Sequence, residues 1–108
     1  MTTPYQIILC TYPDKDSTEQ LAQLLVNEQL SACVNILPGI RSIYWCQGQA
    51  TSAEEYLLLI KAHRDQYQLI ENSIKAHHPF EVPEIIAVSI ENGLPEYLHW
   101  INSCHSSI

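Results

Sequence analysis

A chain of 108 residues, 46% of them apolar, has room for one domain and too much apolar content for disorder. Its formal charge of −7, with Lys15, Arg41, Lys61, Arg64 and Lys75 scattered singly, argues against a nucleic-acid partner. No apolar stretch approaches the roughly 20 residues of a membrane span, so no membrane partner is expected.

The opening Met1-Thr2-Thr3-Pro4 has no basic leader, so no signal peptide is expected. Cys10, Cys33, Cys46 and Cys104 lie far apart with no CxxC pair, which reads as reduced thiols and a cytoplasmic location.

Tyr5-Gln6-Ile7-Ile8-Leu9-Cys10-Thr11 is β-branched and almost continuously apolar, which predicts an interior strand ended by Pro13-Asp14. Ser17-x-x-Gln20 has the form of a capping box, and Leu21, Leu24 and Leu25 follow on one helical face, ending near Gln29. Ala32 to Trp45 reads as a long strand, bent where Pro38 removes a ladder donor and Gly39 permits a kink.

Gln47-Gly48-Gln49 is a turn, and a second long strand runs from about Ala53 to His63, giving an extended hairpin. Tyr67, Ile70 and Ile74 mark a second helix that stops at His77-His78 before Pro79. Glu84 to Ile90 is a strand. Asn92-Gly93 turns the chain, and Pro95 suits the first turn of a last helix anchored by Tyr97, Leu98, Trp100 and Ile101.

This order is an α+β, ferredoxin-like βαββαβ sandwich with a long β-hairpin and a short C-terminal helix, one domain over residues 1–108. Both long helices should cover one sheet face. So short a chain has little left for the other, which points to neighbouring subunits as its cover; a monomer with a half-solvated sheet is the alternative.

Ala32-Cys33-Val34-Asn35-Ile36-Leu37-Pro38-Gly39-Ile40-Arg41-Ser42-Ile43-Tyr44-Trp45 closely resembles a block typical of the CutA family of divalent-ion tolerance proteins. His77-His78-Pro79-Phe80-Glu81-Val82-Pro83-Glu84-Ile85-Ile86 resembles that family's His-His-Pro-Tyr-x-x-Pro-Glu segment, and Leu9-Cys10-Thr11 and Tyr97-Leu98-x-Trp100 also match. The similarity runs through essentially the whole chain. It implies a homotrimer similar to the PII signalling proteins, with copper or other divalent cations as partners. Phe80 stands where tyrosine is usual, which removes a hydroxyl, and Cys46 replaces a commonly aromatic residue beside the hairpin turn.

The resemblance also implies Cys10, His77 and His78 as copper ligands. Thiolate and imidazole suit Cu(II), and Zn(II) as well. Glu84 is a further oxygen candidate. The competing readings are that Cys10 is a packed core thiol and that the two histidines cap the end of the second helix. Adjacent helical histidines point about 100° apart, so they share an ion only if the chain has left the helix.

A Cys10–His78–Glu84 catalytic set has no accompanying oxyanion hole, and a thiol in an apolar strand should titrate high, so no enzyme is expected. Clefts between subunits would hold Trp45, Lys61 and Phe80, with His78 and Glu84 nearby. The sequence therefore leads to divalent metal binding, copper above all, in cation tolerance. The alternative is a PII-like trimeric signalling or adaptor protein whose intersubunit clefts take a small molecule or a protein.

Overall fold

Asp14, rather than the Ser17-x-x-Gln20 box, starts the first helix of the computed structural model, which describes residues 3–104. Met1 and Thr2, part of the leader reading, lie outside the described residues, as do positions 105–108 of the expected domain. The elements are β1 (Tyr5–Tyr12), α1 (Lys15–Asn27), β2 (Cys33–Cys46), β3 (Gln49–His63), a 3-10 turn (Arg64–Gln66), α2 (Tyr67–His77), β4 (Ile85–Ser89) and α3 (Pro95–Ser103). The expected βαββαβ order and the terminal helix are both present.

The Asp14 carboxylate accepts the Ser17 backbone N–H at 3.0 Å and also takes the Ser17 hydroxyl, satisfying donors that the first turn leaves unpaired. The helix ends two residues before Gln29, which turns left-handed at φ 59°. In α3, Pro95 occupies the first turn as its fixed φ and missing N–H allow.

The four strands form one antiparallel sheet in the order β2-β3-β1-β4. Strand alternation sorts the side chains. Ile8, Cys10 and Tyr12 of β1 share a face with Leu58 and Ile60 of β3, and all five are fully buried. Leu21, Ala22 and Leu25 of α1 and Ile70 and Ile74 of α2 close this face, so both long helices lie on one side as expected. The short α3 packs against β3 and buries Ile101 apart from that core.

The opposite face is apolar too. Ile7 and Leu9 of β1 lie across from Lys61 and Leu59 of β3, and Thr11 from Leu57. Ile86 and Val88 of β4 and Leu37 of β2 continue this surface, each about half exposed.

The hairpin outruns the sheet. β1 pairs with β3 only from Tyr56 to His63, so residues 49–55 of β3 pair with β2 alone. The register shifts between Leu37 and Ile40, where Pro38 and Gly39 (φ 72°) make the anticipated bulge. At the tip Gln47 and Gly48 both have positive φ, the two-residue turn that suits the twist of a hairpin. β3 begins at Gln49, four residues before the expected start. This arm carries exposed Ile43 and Trp45 and stretches the molecule to 45 Å.

The Ser17 bonds hold the Asp14 carboxyl below its usual range. Its stabilising effect is therefore complete above about pH 4, the value in an unfolded chain, and is lost as pH falls through the lower folded value. Asp14→Ala should lower the melting temperature at pH 7, and thermal melts from pH 7 to pH 2 should show the gap from the parent closing.

Candidate functional site

The end of β1 and the end of α2 meet, and the sequence candidates divide between two places there. His78 terminates α2, and with Pro79 following, its backbone has left the helix (φ −75°, ψ 139°). The exit swings its ring inward. His78 Nε2–H donates to the Thr11 carbonyl at 2.7 Å, and Nδ1 accepts the Phe80 backbone N–H at 3.0 Å. Both nitrogens are thus used, one as donor and one as acceptor, which fixes the tautomer. The ring is buried, tilted against Tyr12 with centroids 4.2 Å apart, and the Phe80 ring centroid lies 5.0 Å away.

His77, one residue earlier, is still helical and exposed. Its Nδ1 donates to the Ser73 carbonyl at 2.8 Å, which leaves the Nε2 lone pair for another group. Its side chain borders a small recess with Ser17, Gln20, Leu21 and Leu24 of α1. The two histidines therefore face different surroundings, although His78 has left the helix as sharing an ion would require.

Cys10 is fully buried among Ile8, Leu58 and Tyr12, and its Sγ–H points at the same Thr11 carbonyl at 3.8 Å. Cys10 and His78 thus converge on one acceptor without bonding to each other. Burial, with a smaller contribution from the negative charge of Glu84, pushes the Cys10 thiol up to about 12. The thiol stays protonated at neutral pH, which removes the nucleophile from the Cys10–His78–Glu84 set. Glu84 itself is exposed just before β4. Among the described residues, no three His, Cys, Asp or Glu side chains are grouped to hold a metal ion.

The cleft candidates are also spread out. Trp45 is 75% exposed at the far end of the arm, opposite Ala50. Lys61 lies on the open sheet face, where its ammonium donates to Asn35 Oδ1. The eleven residue-to-residue steps along β3 from Ala50 to Lys61 separate them by about 35 Å. Phe80 is half exposed beside His78.

Tyr12 had no place among the sequence candidates. Its hydroxyl is buried and makes no hydrogen bond with the described residues. Burial first, then the nearby Cys10 and Asp14, raise its phenol far above the usual range. The only available signal was its position after the apolar run Ile7-Ile8-Leu9-Cys10-Thr11, which kept it in the strand and turned it inward.

The family profile described as CutA1 divalent ion tolerance protein matches residues 6–104. "Protein CutA 1, chloroplastic" of Oryza sativa subsp. japonica is 38% identical over 94% of this chain, which spans only 58% of that protein's length. "Divalent-cation tolerance protein CutA" of Yersinia pestis (strain Pestoides F) is 38% identical over 90% of this chain and 82% of its own. Among solved structures, the divalent cation tolerance protein Cut A1 of Thermus thermophilus superposes with a TM-score of 0.92 at 39% identity, covering 94% of this chain and 99% of that one.

The four cysteines should separate by environment, since Cys46 is exposed and Cys10 is not. With a thiol-reactive reagent at pH 8, Cys46 should label within minutes. Cys10 should label only after denaturation, read by mass spectrometry of the labelled peptides.

Proposed function

Because the chain belongs to the CutA1 divalent ion tolerance family, we propose that it serves cation tolerance by binding copper, or zinc, as a cytoplasmic homotrimer. Family membership supports a part in metal tolerance in general. The family is named for tolerance and not for a reaction, and the buried, protonated Cys10 supports a role in binding rather than catalysis.

One observation carries the trimer. Trp45 sits about 35 Å along β3 from Lys61, so a cleft containing both needs the arm of one copy beside the sheet of another. The half-exposed Leu37, Ile86 and Val88 give such a neighbour an apolar surface to cover. Shielding each of these side chains is worth about 1 kcal/mol.

For the ion, His77 is the ready ligand because its Nε2 is uncommitted and its side chain is exposed. Glu84 is an exposed oxygen donor. Recruiting His78 would break a hydrogen bond to Thr11 or Phe80, and Cys10 would have to lose its proton in the core. Their weight in binding should be correspondingly smaller.

The PII-like alternative, a trimer whose clefts take a small molecule or a protein, is favoured by the solvent-facing Trp45. A metabolite-induced thermal shift that survives a chelator would select it.

Calorimetric titration with Cu(II) and Zn(II) should show binding that weakens in acid as imidazole protonates. His77→Ala should weaken it at least tenfold, and Cys10→Ser should change it little. Superimposable isotherms for the parent, His77→Ala, His78→Ala and Cys10→Ser would contradict the proposed ligands.

A further inference from the structure

The two long helices leave a recess of about 250 Å³ between them, lined by Ser17, Gln20, Leu21 and Leu24 of α1 and by His77 of α2. Leu21 is buried and Leu24 partly so, which makes the recess largely apolar, while Gln20 and His77 are exposed. It lies on the helix-covered side of the sheet, away from the face proposed for neighbouring copies.

His77 has the backing of a metal ligand. Its Nδ1–H is held by the Ser73 carbonyl at 2.8 Å, and metal-bound imidazoles ordinarily fix their second nitrogen in this way. What it lacks is company. Among the described residues no three His, Cys, Asp or Glu side chains are grouped, so at most one such side chain joins His77. Copper(II) favours a square-planar set of N and O donors, four in the plane. Such side chains therefore fill at most two of these positions. Two waters could take the others, but they would leave Leu21 and Leu24 without an apolar neighbour.

Resting on His77 as the copper ligand proposed above, we infer that copper reaches this site already bound by a small amine–carboxylate chelator, an α-amino acid with a branched aliphatic side chain. The chelator's amine nitrogen and one carboxylate oxygen take two adjacent in-plane positions, and His77 Nε2 takes a third. Its aliphatic side chain enters the recess against Leu21 and Leu24. The exposed Gln20 offers an amide N–H to the second carboxylate oxygen. A site with one strong protein ligand and an apolar recess thus selects the complex over the hydrated ion.

The test is equilibrium dialysis of the full chain with equimolar Cu(II) and radiolabelled leucine, with copper read by atomic absorption. Leucine should be retained one-to-one with copper and released by EDTA. Glycine should be held at least tenfold more weakly, as the loss of two buried methylenes at about fourfold each requires. His77→Ala should lower retention of copper and leucine together at least tenfold. Gln20→Trp, which fills the recess from an exposed position, should keep copper but hold leucine no better than glycine.

Copper retained through His77 without leucine would overturn the inference and leave the metal reading standing. Copper retained under neither condition would sink both. Equal retention of leucine and glycine by the parent, or a preference for leucine that survives Gln20→Trp, would also overturn it.

Discussion

A β-sheet has two faces, and this chain is apolar on both while its two long helices lie on one. That mismatch is written into β1, where Ile8, Cys10 and Tyr12 go under the helices and Ile7 and Leu9 go to the other side. Neighbouring strands follow the same alternation, so the pairing of Leu9 with Leu59 and Ile86 creates a second apolar surface without further instruction. The projecting arm belongs to the same arrangement, since seven residues of β3 have only β2 beside them and Trp45 is left in solvent.

The site follows from the first face. Cys10 is buried because it belongs to the helix-covered row, and that burial keeps its thiol protonated. Proline after His78 turns the backbone out of α2, and the histidine then fastens the loop to Thr11 with one nitrogen and to Phe80 with the other. His77, still in the helix, keeps an uncommitted nitrogen at the surface. One of two adjacent and chemically identical residues is therefore a clamp, and the other faces solvent with one ring nitrogen uncommitted.

Most of the fold was legible because strand alternation, helical spacing and the punctuation at Pro38-Gly39, Gln47-Gly48, Pro79 and Pro95 agree. Disagreement arose where local chemistry was ambiguous. Asp14 and Ser17 are both capping residue types, and only the direction of the bond from Ser17 N–H to Asp14 decides which is the cap. Gln49-Ala50-Thr51-Ser52 has no periodicity because the arm is solvated, so the early start of β3 left no trace in the pattern. The site was less legible. Thr11 and His78 are 67 residues apart, and which way each histidine faces depends on where the helix ends. The family resemblance named His77 and His78 together; their separate environments emerge only in three dimensions.

The proposed shielding of the second face by other copies is open to a direct measurement, sedimentation equilibrium of the intact protein across the micromolar range. A single species of about three times the 12.3 kDa chain mass is the predicted result. A folded species of 12.3 kDa that persists throughout that range would contradict the account, because it would mean that water tolerates the second apolar face.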